Sequence, residues 1–196
     1  MKTTFKTTQG FTLIETLVAI TILMISVVGP LTIASKGVTA AAVSKDQVVA
    51  SYLAQDAMEY LKNMRDDALL ADSTNGWSNF LTSSSYLGFG GYNCGSGSTC
   101  GIETSPTSGG LYSQGNLVPC NVMSHCNLYT DSTYGFYTHN TGSNNLPTKF
   151  NRTFLITQEA FAGFPNAATL TVTVSWKNGT VLDQVVLNSM LFNTLR

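Results

Sequence analysis

A chain of 196 residues is long enough for one domain of ordinary size with its own core, plus an anchoring segment. Its 10 Lys and Arg stand against 11 Asp and Glu, a formal net charge of -1, so no global field draws it to nucleic acid, which is not indicated as a partner. Only 11% of residues are charged, well under the usual share of about a quarter, and the long charge-free stretches mark regions of different kinds.

Residues 1–10, MKTTFKTTQG, carry Lys2 and Lys6 and no acid, and from Phe11 to Ala34 the only ionisable side chain is Glu15. Those 24 residues form a helix of about 36 Å at about 1.5 Å per residue, enough to cross a hydrocarbon core of about 30 Å. The lysines predict a cytoplasmic N-terminus with everything after Ala34 sent across the membrane. A buried core helix fits poorly, because the run is apolar all round and follows a basic tip. A conventional signal peptide has an apolar core of about 7–15 residues before a small-residue cleavage site. Small residues do follow at Thr39-Ala40-Ala41-Ala42, but here the run is longer and an acid interrupts it. A plain anchor explains the length and leaves Glu15 unexplained. A carboxylate in such a segment costs about 2.5–3.5 kcal/mol even on the milder insertion scales. It needs a partner from outside the run, or a place near the interface where it can snorkel.

The stretch Gly10-Phe11-Thr12-Leu13-Ile14-Glu15-Thr16-Leu17-Val18-Ala19-Ile20 resembles the processing site of type IV prepilins and pseudopilins: a short basic leader ending in Gly, then Phe, then Glu as the fifth residue. The resemblance implies that a membrane-embedded prepilin peptidase cuts between Gly10 and Phe11 and methylates the new amino group of Phe11. The hydrophobic segment is then retained. It also implies a partner for Glu15, the amine of Phe11 in a neighbouring subunit. Pairing the two in a low-dielectric bundle would favour one axial register. The implied partners are the peptidase, other pilin or pseudopilin subunits, an inner-membrane assembly platform, and membrane lipid before assembly. Gly29-Pro30 predicts a kink near the outer end of the run, since Pro30 lacks an amide hydrogen and crowds the Ser26 carbonyl. Related filament subunits carry a helix-breaking proline in this region, and an ordinary tolerated transmembrane proline is the alternative.

Beyond Lys36 the pattern turns amphipathic: Val49, Leu53, Ala57, Tyr60/Leu61 and Met64 recur every three or four residues between charged and polar positions. One long helix from Phe11 to about Asp67 is expected, with its outer stripe covered by core. Towards the C-terminus, Thr153–Thr157 reads as a strand and Leu170–Trp176 alternates with period two. Lys177-Asn178-Gly179-Thr180 makes a turn, and Val185 to Phe192 returns. The fold class expected is α+β: the long helix packed on a C-terminal antiparallel sheet, with a loop-rich insertion. The predicted regions are a leader at 1–10, a hydrophobic assembly helix at 11–35, its amphipathic continuation at 36–67, the insertion at 68–150 and the sheet at 151–196. This C-terminal part also resembles the sheet of minor pilins of the PilV type and the I-type pseudopilins of type II secretion.

The insertion is rich in Gly, Ser, Thr, Asn and Tyr, with little periodicity and room for one or two short strands. It holds all four cysteines, as Cys94-x5-Cys100 and Cys120-x5-Cys126. An even number in an exported segment favours two disulfides, with three connectivities open. Local pairing, Cys94–Cys100 with Cys120–Cys126, is the first expectation, and neither spacing forbids the crossed forms. Zinc, with His125 and His139 nearby, fits less well because the x5 spacing departs from the usual one.

No phosphate loop, zinc-protease helix or nucleophile elbow is present; Gly95-Ser96-Gly97-Ser98 lacks the flanking strand and helix. Asp66-Asp67 reads as solvated acids at a helix end, and Asn151-Arg152-Thr153 and Asn178-Gly179-Thr180 are short glycosylation-like patterns. No catalytic residue, metal or cofactor is assigned. The expectation is a structural, minor filament subunit in the cell membrane, with its C-terminal domain exported to the envelope or the cell surface. The alternatives are a ligand-binding or adhesive component using residues 68–150, or a conventionally secreted protein.

Overall fold

Thr12 opens the first helix. The Glu15 amide donates to the Thr12 carbonyl at 3.1 Å and to Thr12 Oγ1 at 3.4 Å, so Thr12 takes the N-cap place and Glu15 the first turn, where a carboxylate meets the positive end of the helix dipole. From there α1 runs Leu13–Ala71. The structure, a computed structural model, describes residues 10–83, 85–87, 94–95, 97–105, 117–120, 126–142, 144–161 and 164–194. Two compact units divide the chain, Met1–Lys45 and Asp46–Arg196.

In the first unit every described residue is exposed. The helical assignment passes through Gly29 and Pro30 without a break. The hydroxyls inside the apolar run fold back on the helix's own carbonyls. Thr16, Thr21, Ser26 and Thr32 donate to Leu13, Val18, Leu23 and Val28 respectively, each at 2.8 Å. Such bonds let polar side chains sit in an apolar setting at little cost.

The second unit is α+β. The α1 residues Ala50, Leu53, Ala54, Ala57, Met58, Leu61, Met64, Ala68 and Leu69 are buried, a stripe at the three-to-four spacing of one helix face. An Asx turn follows, in which Asp72 Oδ1 accepts from the Thr74 and Asn75 amides at 2.9 Å. These bonds hold the Asp72 carboxyl below the usual carboxylate range. The short helix α2, Gly76–Thr82, then buries Trp77, Phe80 and Leu81.

Among the described residues seven strands form one sheet: β1 Cys100–Ile102, β2 Leu117–Pro119, β3 Asn127–Asp131, β4 Tyr137–Thr138, β5 Asn145–Phe161, β6 Phe164–Asn178 and β7 Val181–Phe192. All pairings are antiparallel. β5 organises the sheet. One of its edges is shared by β3, up to Asn151, and β1, at Phe154; the other pairs with β6, from Phe150↔Trp176 to Phe161↔Phe164. β6 alternates as its sequence predicts, with Leu170, Val172, Val174 and Trp176 buried and the threonines and serine between them half-exposed.

The structure differs from the sequence reading at several boundaries. The hairpin between β6 and β7 is tighter than expected: Asn178 already pairs with Val181, so only Gly179 and Thr180 form the loop, and Gly179 takes φ +64°. That left-handed conformation is one glycine adopts freely. β5 starts at Asn145, and the region 68–150 supplies α2 and four short strands where one or two strands were expected. Those strands join the C-terminal sheet.

Candidate functional site

The sequence-predicted processing and assembly residues lie together at the N-terminus. Gly10 and Phe11 are exposed and precede the helix, with no regular structure of their own. Residues 1–9 of the leader, with Lys2 and Lys6, lie outside the described residues. Glu15 stands on an apolar helix surface where Leu13, Ile14, Leu17, Val18 and Ile20 are all exposed. The hydroxyls around it are bonded within the helix, and among the described residues no partner for the Glu15 carboxylate is present. The apolar stretch reaches a mean hydropathy of 2.4 over an 18-residue window, none of it buried within the chain. By length and composition it can cross a membrane. An uncovered apolar surface of this extent needs either lipid or other apolar helices around it.

The cysteines form two local disulfides. Cys94 joins Cys100 and Cys120 joins Cys126, with Cα–Cα separations of 5.9 and 5.6 Å. Among the described residues no group of three His, Cys, Asp or Glu side chains is placed to hold a metal ion. His125 lies outside the described residues.

One polar cluster in the second unit escaped the sequence reading. Arg152 on β5 sits in phase with buried Phe150, Phe154 and Ile156, so its guanidinium points into the core and is fully buried. Its Nη1 donates to Asp56 Oδ2 at 2.9 Å and to the Leu53 carbonyl at 3.3 Å; its Nη2 donates to the Ile102 carbonyl at 2.8 Å and to Thr104 Oγ1 at 3.1 Å. One side chain thus ties α1 to β1 and the residues after it. Beside it, buried Glu103 accepts from the Ser105 amide at 2.9 Å, the Thr138 hydroxyl at 2.7 Å and the His139 amide at 2.6 Å. The His139 ring is buried, and neither of its nitrogens finds a hydrogen-bond partner among the described residues. Burial first, and the charge of Arg152 second, lower its pKa to about 4 against the opposing pull of Glu103. The cluster is a structural clasp; its only sequence signal was an arginine at an inward position of a strand.

Residues 5–29 match the prokaryotic N-terminal methylation motif, the class III prepilin signal. No curated protein and no solved structure matches the chain. The match is consistent with a pilin-like protein and is confined to the N-terminal segment, ending well before the second unit begins.

Proposed function

We propose that the chain is a structural subunit, of the minor kind, of a type IV pilus or a related pseudopilus. The observation that carries this reading is the conjunction of the methylation motif with an exposed apolar helix whose single acid has no partner among the described residues. Prepilin peptidase cuts after Gly10 and methylates Phe11. The helix then anchors the subunit in the inner membrane, N-terminus inside, until the assembly platform moves it into a filament core. There neighbouring apolar helices replace lipid, and the Phe11 amine of one subunit meets the Glu15 carboxylate of the next. A charge pair out of water strongly favours the one axial register that joins it. Gly29 and Pro30 weaken the helix locally, since the Ser26 carbonyl loses its intrahelical donor. The work of the protein is packing rather than catalysis.

Glu15 also sits in the first helical turn, so its charge and its local structural role must be separated. In cells that carry the filament machinery, Glu15→Gln keeps the size and hydrogen-bonding capacity of the side chain and removes the charge. The expected outcome is normal cleavage after Gly10 with incorporation into sheared filaments reduced at least about tenfold, the loss of roughly 1.4 kcal/mol of pairing or more. Normal incorporation of Glu15→Gln would remove the proposed role of its charge.

A further inference from the structure

A groove of about 540 Å³ opens on the second unit between α1 and the residues around the β3–β4 turn. Its volume falls within the range of small-molecule sites, about 300–1,000 Å³. Two kinds of side chain line it. Tyr52, Phe136 and Tyr137 offer aromatic surface, and Asp56, Thr104 and Ser105 offer polar groups.

The walls are held from behind. Tyr52 and Asp56 are one turn apart on α1 and share a face. Phe136 leaves a turn in which Asp131 Oδ1 accepts from the Thr133 and Tyr134 amides, both at 2.8 Å, and Gly135 takes φ +74°. The Tyr134 ring stacks on Phe136 with centroids 5.8 Å apart, and the Tyr137 ring meets buried Phe150 edge-on at 6.3 Å. Aromatic faces fixed in this way lose little freedom when a ligand covers them.

The polar groups decide which ligand fits. Asp56 Oδ2 is taken by Arg152 and by the Thr104 hydroxyl, while the carboxylate as a whole is 53% exposed against 1% for the Arg152 side chain. The buried guanidinium offsets the acid that lines the groove, and Glu103, the second carboxylate beside Arg152, is buried, holds three hydrogen bonds of its own and does not line the groove. The groove therefore presents Asp56 as a fixed acceptor whose charge is already matched by Arg152. An anion would face the open side of Asp56, and a wholly apolar ligand would strip water from the carboxylate without replacing it. A neutral ring with hydroxyls on its rim and C–H bonds on its face satisfies both surfaces: the hydroxyls donate to Asp56, and the C–H face covers Tyr52 or Phe136.

From this geometry we infer that the groove binds a neutral sugar ring. Every lining residue belongs to the second unit, so binding is independent of leader processing and of Glu15. The test uses the full chain in deuterated detergent, titrated with the methyl glycosides of glucose, galactose, mannose and N-acetylglucosamine and followed by saturation-transfer NMR. At least one glycoside should saturate with a Kd in the millimolar range, as expected of a single small ring. Tyr52→Ala and Phe136→Ala each remove an exposed ring and should weaken that binding at least about tenfold with the thermal midpoint unchanged. The inference is overturned if no glycoside saturates, if binding survives both substitutions, or if N-acetylarginine amide displaces the sugar, which would assign the groove to a cationic peptide side chain.

Discussion

At the scale of single residues, Arg152 joins several separate segments of the second unit. It contacts the α1 backbone at Leu53, the α1 side chain of Asp56, the β1 carbonyl of Ile102 and the Thr104 hydroxyl. Removing one partner of a buried pair costs most when it leaves a desolvated charge behind. Asp56→Ala leaves the buried guanidinium without its main counter-charge and should cost about 3 kcal/mol or more. Arg152→Met removes the buried charge itself, leaves an Asp56 that water can reach and a buried Glu103 that keeps its three hydrogen bonds from Ser105, Thr138 and His139, so its cost is that of unpaired carbonyls, about 1–3 kcal/mol. Denaturant unfolding of the two variants should show this order, and the reverse order would mean that Arg152 acts by packing rather than by charge. His139 gives a pH signature. Its pKa is lowered from 6.5 to about 4 in the fold, so below pH 6.5 the unfolded chain binds a proton that the folded chain refuses. The stability contribution is complete above pH 6.5 and is lost progressively as pH falls through 4, on the order of 3 kcal/mol in all. His139→Leu should flatten the stability profile between those values, and an unchanged profile would exclude His139 as its source. The inward place of Arg152 was not read from the sequence, because the strand expected there began one residue later, at Thr153. Its partner could not be read either, because Asp56 lies 96 residues away and no local pattern links the two.

The elements divide by how much pattern their length can carry. α1 repeats its apolar stripe over several turns, and Leu53, Ala57, Leu61 and Met64 were readable as core before any fold was known. β6 has the same advantage with period two. The four strands β1 to β4 have two to five residues each, and all three residues of β1 are buried, so alternation never becomes visible. What holds them is tertiary: the β5 edge and the disulfides. Each disulfide closes a sequence separation of 6, for which chain-entropy reasoning gives about 2 kcal/mol. Cys94→Ala with Cys100→Ala, and the same exchange at Cys120 and Cys126, should each lower unfolding stability by about that amount, and no loss in either pair would show that the strands stand without it. Gly101 is a second constraint in this region. A Cβ there would come within 2.8 Å of His139 Nε2 and 3.2 Å of Cys126 Sγ, so Gly101→Ala should destabilise the unit while Gly142→Ala, whose nearest atoms are 3.6 Å away, should not.

At the scale of the whole molecule, the chain combines a segment that needs company with a unit that has its own core. From Gly10 to Lys45 none of the described residues covers the apolar surface, whereas the second unit buries the stripe of α1 from Ala50 to Leu69, Trp77, Phe80 and Leu81 of α2 and alternate residues of β5 and β6. The methylation motif lies wholly within the first part. That part was the most legible in the sequence, because its signal is contiguous: a basic tip, Gly10-Phe11 and one acid in a long apolar run. The groove at Tyr52, Asp56 and Phe136 was the least legible, because it draws on three distant segments. Purifying the mature protein and determining its N-terminal residue tests the central claim most directly. The account predicts N-methylphenylalanine at position 11; a mature chain that begins at Met1, or near Ala42 as conventional secretion would leave it, would contradict it.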